Sequence, residues 1–162
     1  MMKVLVAIDP ANKQTGYVLI DQTSYKPIAF GKVDNIYMKN ILQEIHTLKA
    51  EVEVVIEMVA NYGTVVGRDV FETCIFIGRL QEMCNQLRVE YSMLYRSKVK
   101  LNLCGKTATI KDPHIIQALK DRFGDKGTKA NPGWFFGFKE DIWQAYALGV
   151  TYLDMKSRGG EV

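Results

Sequence analysis

Two apolar runs in this chain each end on an acid. Val4-Leu5-Val6-Ala7-Ile8 leads into Asp9, and Val54-Val55-Ile56 leads into Glu57. A third apolar stretch, Ile142 to Leu153, is opened by the pair Glu140-Asp141. The first two runs read as buried strands and the third as an apolar helix. Carboxylates are rarely taken into such surroundings unless something offsets their charge. Two of them held about 4 Å apart, at an effective dielectric of about 20, repel by roughly 4 kcal/mol. A cluster of this kind persists by taking up protons or by binding a cation. With oxygen ligands only, the suited ions are Mg²⁺ and Mn²⁺. Each acid alone has a plainer reading, since Asp9-Pro10 would serve as a turn or a helix cap. Whether the three meet in space is left to the structure.

The chain has 162 residues, enough for one domain with a sizeable core. The expected domain spans residues 1–156, with 157–162 a flexible tail. No stretch approaches the roughly 18 uninterrupted apolar residues of a membrane span, so no membrane partner is expected. Met1-Met2-Lys3 enters a strand at once without signal-peptide architecture, which makes the cytoplasm the expected compartment. Cys74, Cys84 and Cys104 are odd in number and lack CxxC spacing, so neither a disulfide framework nor a zinc site is indicated. They read as small buried hydrophobes.

The net charge of +3 is too small to identify a nucleic-acid partner, but its distribution is uneven. Arg96, Lys98, Lys100, Lys106 and Lys111 fall in one segment that holds no acid. Such a block follows a phosphate backbone, or it is a solvated loop carrying lysines; the sequence supports both.

Along the chain, strands are expected over 3–9, 15–21 and 27–33, joined by short polar turns into an antiparallel meander. An amphipathic helix over 36–49 precedes a strand over 52–57. A strongly apolar helix over 69–87 precedes a strand over 89–95. After the basic segment, Asp112 reads as an N-cap with Pro113 at the first helical position. Residues 124–138 interleave glycines with Trp134, Phe135, Phe136 and Phe138, and read as an ordered loop packed on the core. The last helix is expected from Glu140 to Met155. The whole is one α/β domain.

These motifs resemble the RuvC-type Holliday junction resolvases of the ribonuclease H-like superfamily. Val6-Ala7-Ile8-Asp9-Pro10 followed by Thr15-Gly16-Tyr17-Val18-Leu19-Ile20 is similar to the family's opening hairpin. Val55-Ile56-Glu57 resembles its second metal-binding acid, and Lys100 and Lys111 resemble two lysines eleven residues apart. Asp141-Ile142-Trp143-Gln144-Ala145-Tyr146-Ala147-Leu148 resembles its final helix. The resemblance covers residues 4–150, strongest in the first twenty and weakest over 58–90, and it looks like a bacteriophage-encoded member. It implies a ribonuclease H-like fold, with a mixed five-stranded sheet of three antiparallel strands and two more, flanked by helices.

It also implies a nuclease that cuts branched DNA, above all four-way junctions, by metal-assisted hydrolysis. Two Mg²⁺ ions would be held, with Mn²⁺ able to substitute. Asp9 would bridge both ions, with Glu57 and Asp141 holding one each. Lys111 would act in catalysis, and Lys98, Lys100, Lys106 and Lys111 would grip phosphates. Where the family has a fourth acid this chain has Gln144, a weaker neutral ligand. Either Glu140, one turn earlier on the same helical face, supplies the missing charge, or Gln144 itself is a ligand and the second ion is held loosely.

A two-fold junction implies a homodimer. The helix over 69–87 carries a wide apolar surface and is either the dimer interface or a central buried helix. Tyr62, in the loop after Glu57, would stack on a base. His46 reads as structural and His114 as a lesser candidate for substrate contact. Three rivals stand beside this reading: a nuclease for flaps, forks or RNA; a junction-binding protein without chemistry; and an actin-like nucleotide-binding domain. The last is disfavoured by the lack of glycine after Asp9 for phosphate approach.

Overall fold

A computed structural model describes residues 1–162. Five strands form one mixed sheet: β1 (Met2–Pro10), β2 (Gln14–Asp21), β3 (Pro27–Asp34), β4 (Ala50–Met58) and β5 (Glu90–Tyr95). Their spatial order is β3-β2-β1-β4-β5. The first three pair antiparallel through short turns. β4 runs parallel to β1 after a crossover through α1 (Asn35–His46), and β5 runs parallel to β4 after α2 (Arg68–Leu87). α3 (Arg96–Cys104), α4 (Asp112–Phe123) and α5 (Asp141–Ser157) follow.

Alternation along the strands divides the core in two, because successive side chains of a strand point to opposite faces. Leu5 and Ala7 of β1 and Val55 of β4 join Val18 and Ile20 beneath α5, with Val99 of α3 and Ile115 and Leu119 of α4 beside them. Val4, Val6, Ile8, Val54 and Ile56 face the other way, against Met38, Leu42 and Ile45 of α1 and Ile77, Leu80 and Cys84 of α2. Asp9 and Glu57 continue the odd-numbered row. The same alternation that buries Leu5 and Ala7 therefore aims both acids toward α5.

α5 lies closest to the sheet, and glycine permits it. A Cβ on Gly149 would stand 2.3 Å from Ile20 Cδ1 and 3.0 Å from Ala7 Cβ. The far end of α5 is tied by Asp154, which accepts both guanidinium nitrogens of Arg122 (2.7 and 2.8 Å), the Asn102 amide and the Tyr25 hydroxyl. Burial alone would raise the Asp154 pKa, but these donors outweigh it and hold the carboxyl below its usual range. Phe135, Phe138, Trp143 and Tyr146 pack on one another, and the Trp134 indole donates to the Tyr146 hydroxyl at 3.0 Å. Burying each such ring contributes about 1.5–3 kcal/mol. The aromatic segment is thus core, with only Phe136 of the four named residues exposed.

Several expectations need correction. The basic segment is not an open loop: residues 96–104 are the helix α3, followed by a short connection. Only Val99 in α3 is fully buried, so the sequence carries no amphipathic stripe to announce it. Lys111, not Asp112, is the N-cap of α4, and the His114 imidazole accepts the Lys111 backbone N–H at 2.9 Å. Cys74 is exposed and Cys104 half-buried, so only Cys84 fits a buried hydrophobe. α2 buries Thr73, Ile77, Leu80 and Cys84, while Phe71 and Ile75 are about three-fifths exposed (59% and 60%); it is not a central buried helix. α5 runs on to Ser157. No helix is long and apolar enough to cross a membrane.

Candidate metal centre

The C-terminal ends of the parallel strands β1, β4 and β5 lie side by side, the place where open α/β sheets offer a crevice. Asp9 follows Ile8, which is paired with Ile56, so Glu57 comes next to it on β4. Arg96 opens α3 directly after β5, two residues beyond Leu94, the strand partner of Glu57. On the other side the row continues from Asp9 to Gly16 to Lys32. Residue 16 has no Cβ, and Asp141 fills the place: a Cβ there would sit 2.8 Å from Asp141 Cβ and 2.9 Å from its carbonyl oxygen. The start of α5 is thereby laid against the strand that neighbours Asp9.

Asp9, Glu57 and Asp141 are brought together. The electrostatics record it. Burial, then the charge of Glu57, a hydrogen bond that protonated Asp9 donates to the Glu57 carboxylate, and the charge of Asp141 push the Asp9 pKa up to about 9, against a smaller opposing pull from Arg96. In the protein alone Asp9 therefore holds a proton at neutral pH. Gln144, one turn into α5 from Asp141, is buried, and its Oε1 has no hydrogen-bond partner. An unsatisfied buried acceptor is unusual and disfavoured by about 1–3 kcal/mol.

Glu140 is placed differently from expectation. It is the N-cap of α5, not part of its first turn, with φ 48° and ψ −129°. That is strained backbone for a residue with a side chain, of order 1–3 kcal/mol. Its carboxylate turns to Lys32 Nζ at 3.0 Å, which holds it ionised below the usual range. Lys32 also reaches Asp141 at 3.1 Å. On the opposite side Arg96 stands 3.6 Å from Glu57 and 2.5 Å from Asp112. No three His, Cys, Asp or Glu side chains stand close enough together to enclose an ion.

The donor set nevertheless fits a hard divalent cation. Its ligand atoms are all oxygen, one acid is protonated for want of a counter-charge, and one buried amide oxygen has nothing to bond. Asp9, Glu57, Asp141 and Gln144 are the residues that would hold it.

The basic residues are distributed around this end. Lys100 is half-buried on α3, one turn beyond Arg96. Lys98 is exposed on another side of the same helix, and Lys106 and Lys111 are exposed in and after the connection to α4. Tyr62 is 70% exposed and lines a recess of about 290 Å³ with Asp9, Glu57, Met58 and Arg96. His114 is engaged in the α4 cap, and His46 is exposed at the end of α1. Lys32 and the inward role of Arg96 were not singled out from sequence. Lys32 becomes visible only through strand register, which sets it across from Gly16.

No protein-family model matches the chain, and no curated protein matches its sequence. Solved structures do match. The Thermus thermophilus RuvC structure superposes with a TM-score of 0.72 over 96% of this chain and 96% of that one, at 14% sequence identity. The T. thermophilus RuvC in complex with Holliday junction substrate superposes at 0.76 over 98% and 97%, again at 14% identity.

The fold is RuvC-like.

It is accordingly the α/β, ribonuclease H-like arrangement, with a mixed five-stranded sheet between helices. In this frame Asp9 and Glu57 stand at strand ends and Asp141 at the start of α5, with Tyr62 and Arg96 beside Asp9 and Glu57.

Proposed function

We propose that this protein is a structure-selective DNA endonuclease that hydrolyses phosphodiesters in four-way junctions or related branched DNA. The observation that carries this reading is the convergence of Asp9, Glu57 and Asp141 at one end of a RuvC-like sheet, with Asp9 protonated by burial and by repulsion from the other two. One RuvC neighbour is in complex with Holliday junction DNA, which supports a branched substrate here.

Divalent ions, two Mg²⁺ or Mn²⁺ in this reading, would supply Lewis-acid polarisation of the scissile phosphate and stabilise the departing oxygen. The chain's own residues do the rest. Asp9, beside Glu57 on β4 and influenced by the charge of Asp141, would hold the ions together with those two acids once its proton is released. Gln144 contributes a neutral oxygen where a charged one would add repulsion. Glu140 pairs with Lys32 in the DNA-free protein and tunes the charge at the start of α5. Lys111, exposed at the α4 cap, meets the phosphate next to the cut, while Lys98, Lys100 and Lys106 hold the flanking backbone. Tyr62 offers a ring to an unpaired base at the branch. A homodimer would present two such centres to the two symmetric strands of a junction. The exposed face of α2, with Phe71 and Ile75, is the surface assigned to that pairing. A phage source and a cytoplasmic setting accord with this activity.

The test is cleavage of labelled four-way, three-way and linear DNA in Mg²⁺, Mn²⁺ and chelator, read on a sequencing gel. Paired, symmetric nicks in the four-way substrate that vanish with chelator are expected. Cleavage of every substrate alike would replace junction selectivity with a general nuclease. Binding without cleavage in any divalent metal would leave a junction-binding protein.

A further inference from the structure

Two cations reach into the acidic centre, and the chemistry proposed above gives Arg96 no part and Lys32 only a tuning one. Arg96 Nη1 lies 3.6 Å from Glu57, and its Nη2 lies 2.5 Å from Asp112. Lys32 Nζ lies 3.0 Å from Glu140 and 3.1 Å from Asp141. Both side chains are largely shielded, 22% and 28% exposed. They differ from Lys98, Lys106 and Lys111, which are exposed and form no ion pair with these acids.

The charges are informative. Asp9, Glu57, Asp141 and Glu140 offer four negative charges when all are ionised, and Lys32 together with Arg96, which Asp112 shares, offsets at most two of them. The two to three charges left suit a single divalent ion. Gln144 adds no charge to receive a second. Two ions fit electrically only if the two side chains withdraw.

Each has somewhere to go. Arg96 borders the recess shared with Tyr62 and Met58, and Lys32 borders an open cleft of about 480 Å³ with Lys139, Gln14 and Phe30. Long cationic side chains at the mouths of two clefts are placed to meet the phosphates of a strand crossing the centre.

We propose that Arg96 and Lys32 are exchangeable counter-cations, which neutralise the carboxylates in the free protein and pass to DNA phosphates when divalent ions replace them. This rests on the nuclease reading and deepens it. Metal and DNA then reinforce each other: DNA removes the competitors of the metal, and metal frees the side chains for DNA. The free protein binds metal weakly by construction.

The experiment is calorimetric titration of Mn²⁺ into the DNA-free protein, for the native chain and for Arg96→Gln, Lys32→Gln and Arg96→Lys. Loss of a positive charge at this range tightens Mn²⁺ binding by roughly five- to tenfold in the Gln variants, while Arg96→Lys stays near the native value. With Ca²⁺ bound in place of Mn²⁺, the same Gln variants bind a four-way junction several-fold more weakly, with a salt slope lower by about one, while in chelator their salt slope matches the native one. Unchanged or weaker Mn²⁺ binding in both Gln variants overturns the counter-cation role, and leaves the nuclease reading intact if the native chain still cuts. Absence of Mn²⁺ binding in every chain, together with absence of cutting, takes down both.

Discussion

Asp141 rests on Gly16: the place a Cβ would occupy on residue 16 is 2.8 Å from the Asp141 Cβ. Gly16→Ala therefore lifts the beginning of α5 from the sheet. Junction cleavage is expected to fall by about 10²-fold, since a displacement near 1 Å is enough for that. Junction affinity in chelator should change little, because Lys98, Lys100, Lys106 and Lys111 lie on α3 and in the connection after it. Parallel measurement of the cutting rate and of binding in chelator checks this; an equal loss in both would mean the fold itself had yielded.

Asp9→Asn removes a central charge while keeping the shape of the side chain. Cutting should be abolished and junction binding kept or tightened. The metal-free protein should also become more stable. Native Asp9 holds a proton up to about pH 9 that the unfolded chain releases near its ordinary pKa of 3.8. Stability therefore declines as pH rises across that window. The Asn variant lacks this slope, so its melting temperature should exceed the native one by more at pH 8 than at pH 5. A gain of about 1 kcal/mol corresponds to roughly 2–4 °C at this chain length.

Metal binding should release a proton. Asp9, protonated below about pH 9, must ionise to act as a ligand. Mn²⁺ titrations in buffers of different ionisation heat should show about one proton released near pH 7, and affinity should rise toward tenfold per pH unit up to about pH 9. Heats independent of buffer would remove Asp9 from the ligand set.

Glu140 and Gln144 divide the question of the fourth ligand. Glu140→Gln frees Lys32 from its partner at 3.0 Å. Cutting should then fall by less than about tenfold if Glu140 only tunes charge, and by a factor of 10² or more if it is a ligand. Gln144→Asp should tighten Mn²⁺ binding, and in metal-free buffer it should lower the melting temperature by placing another acid in a buried position.

Asp9 and Glu57 were legible in the sequence because each ends an apolar run, and strand alternation then aims both at one face. The hairpin and the order of elements followed from turn residues and periodicity. α3 was not legible, since a helix burying only Val99 leaves no stripe to read. Glu140 looked like a first-turn acid, but the chain reverses at φ 48° just before the helix starts. Lys32 depends on pairing between β2 and β3, a non-local fact that no window of sequence contains. The inward turn of Arg96 likewise depends on where β5 ends beside β4.

Helix α5 is held at its beginning by contact with Gly16 and near its end by the bonds to Asp154. A rod clamped at both ends has little play, so Asp141 inherits its position from the entire length beneath it. Arg122 and Asn102, at the opposite end of the helix, thus belong to the alignment of the proposed centre. Slack introduced at the far clamp would be felt at Asp141.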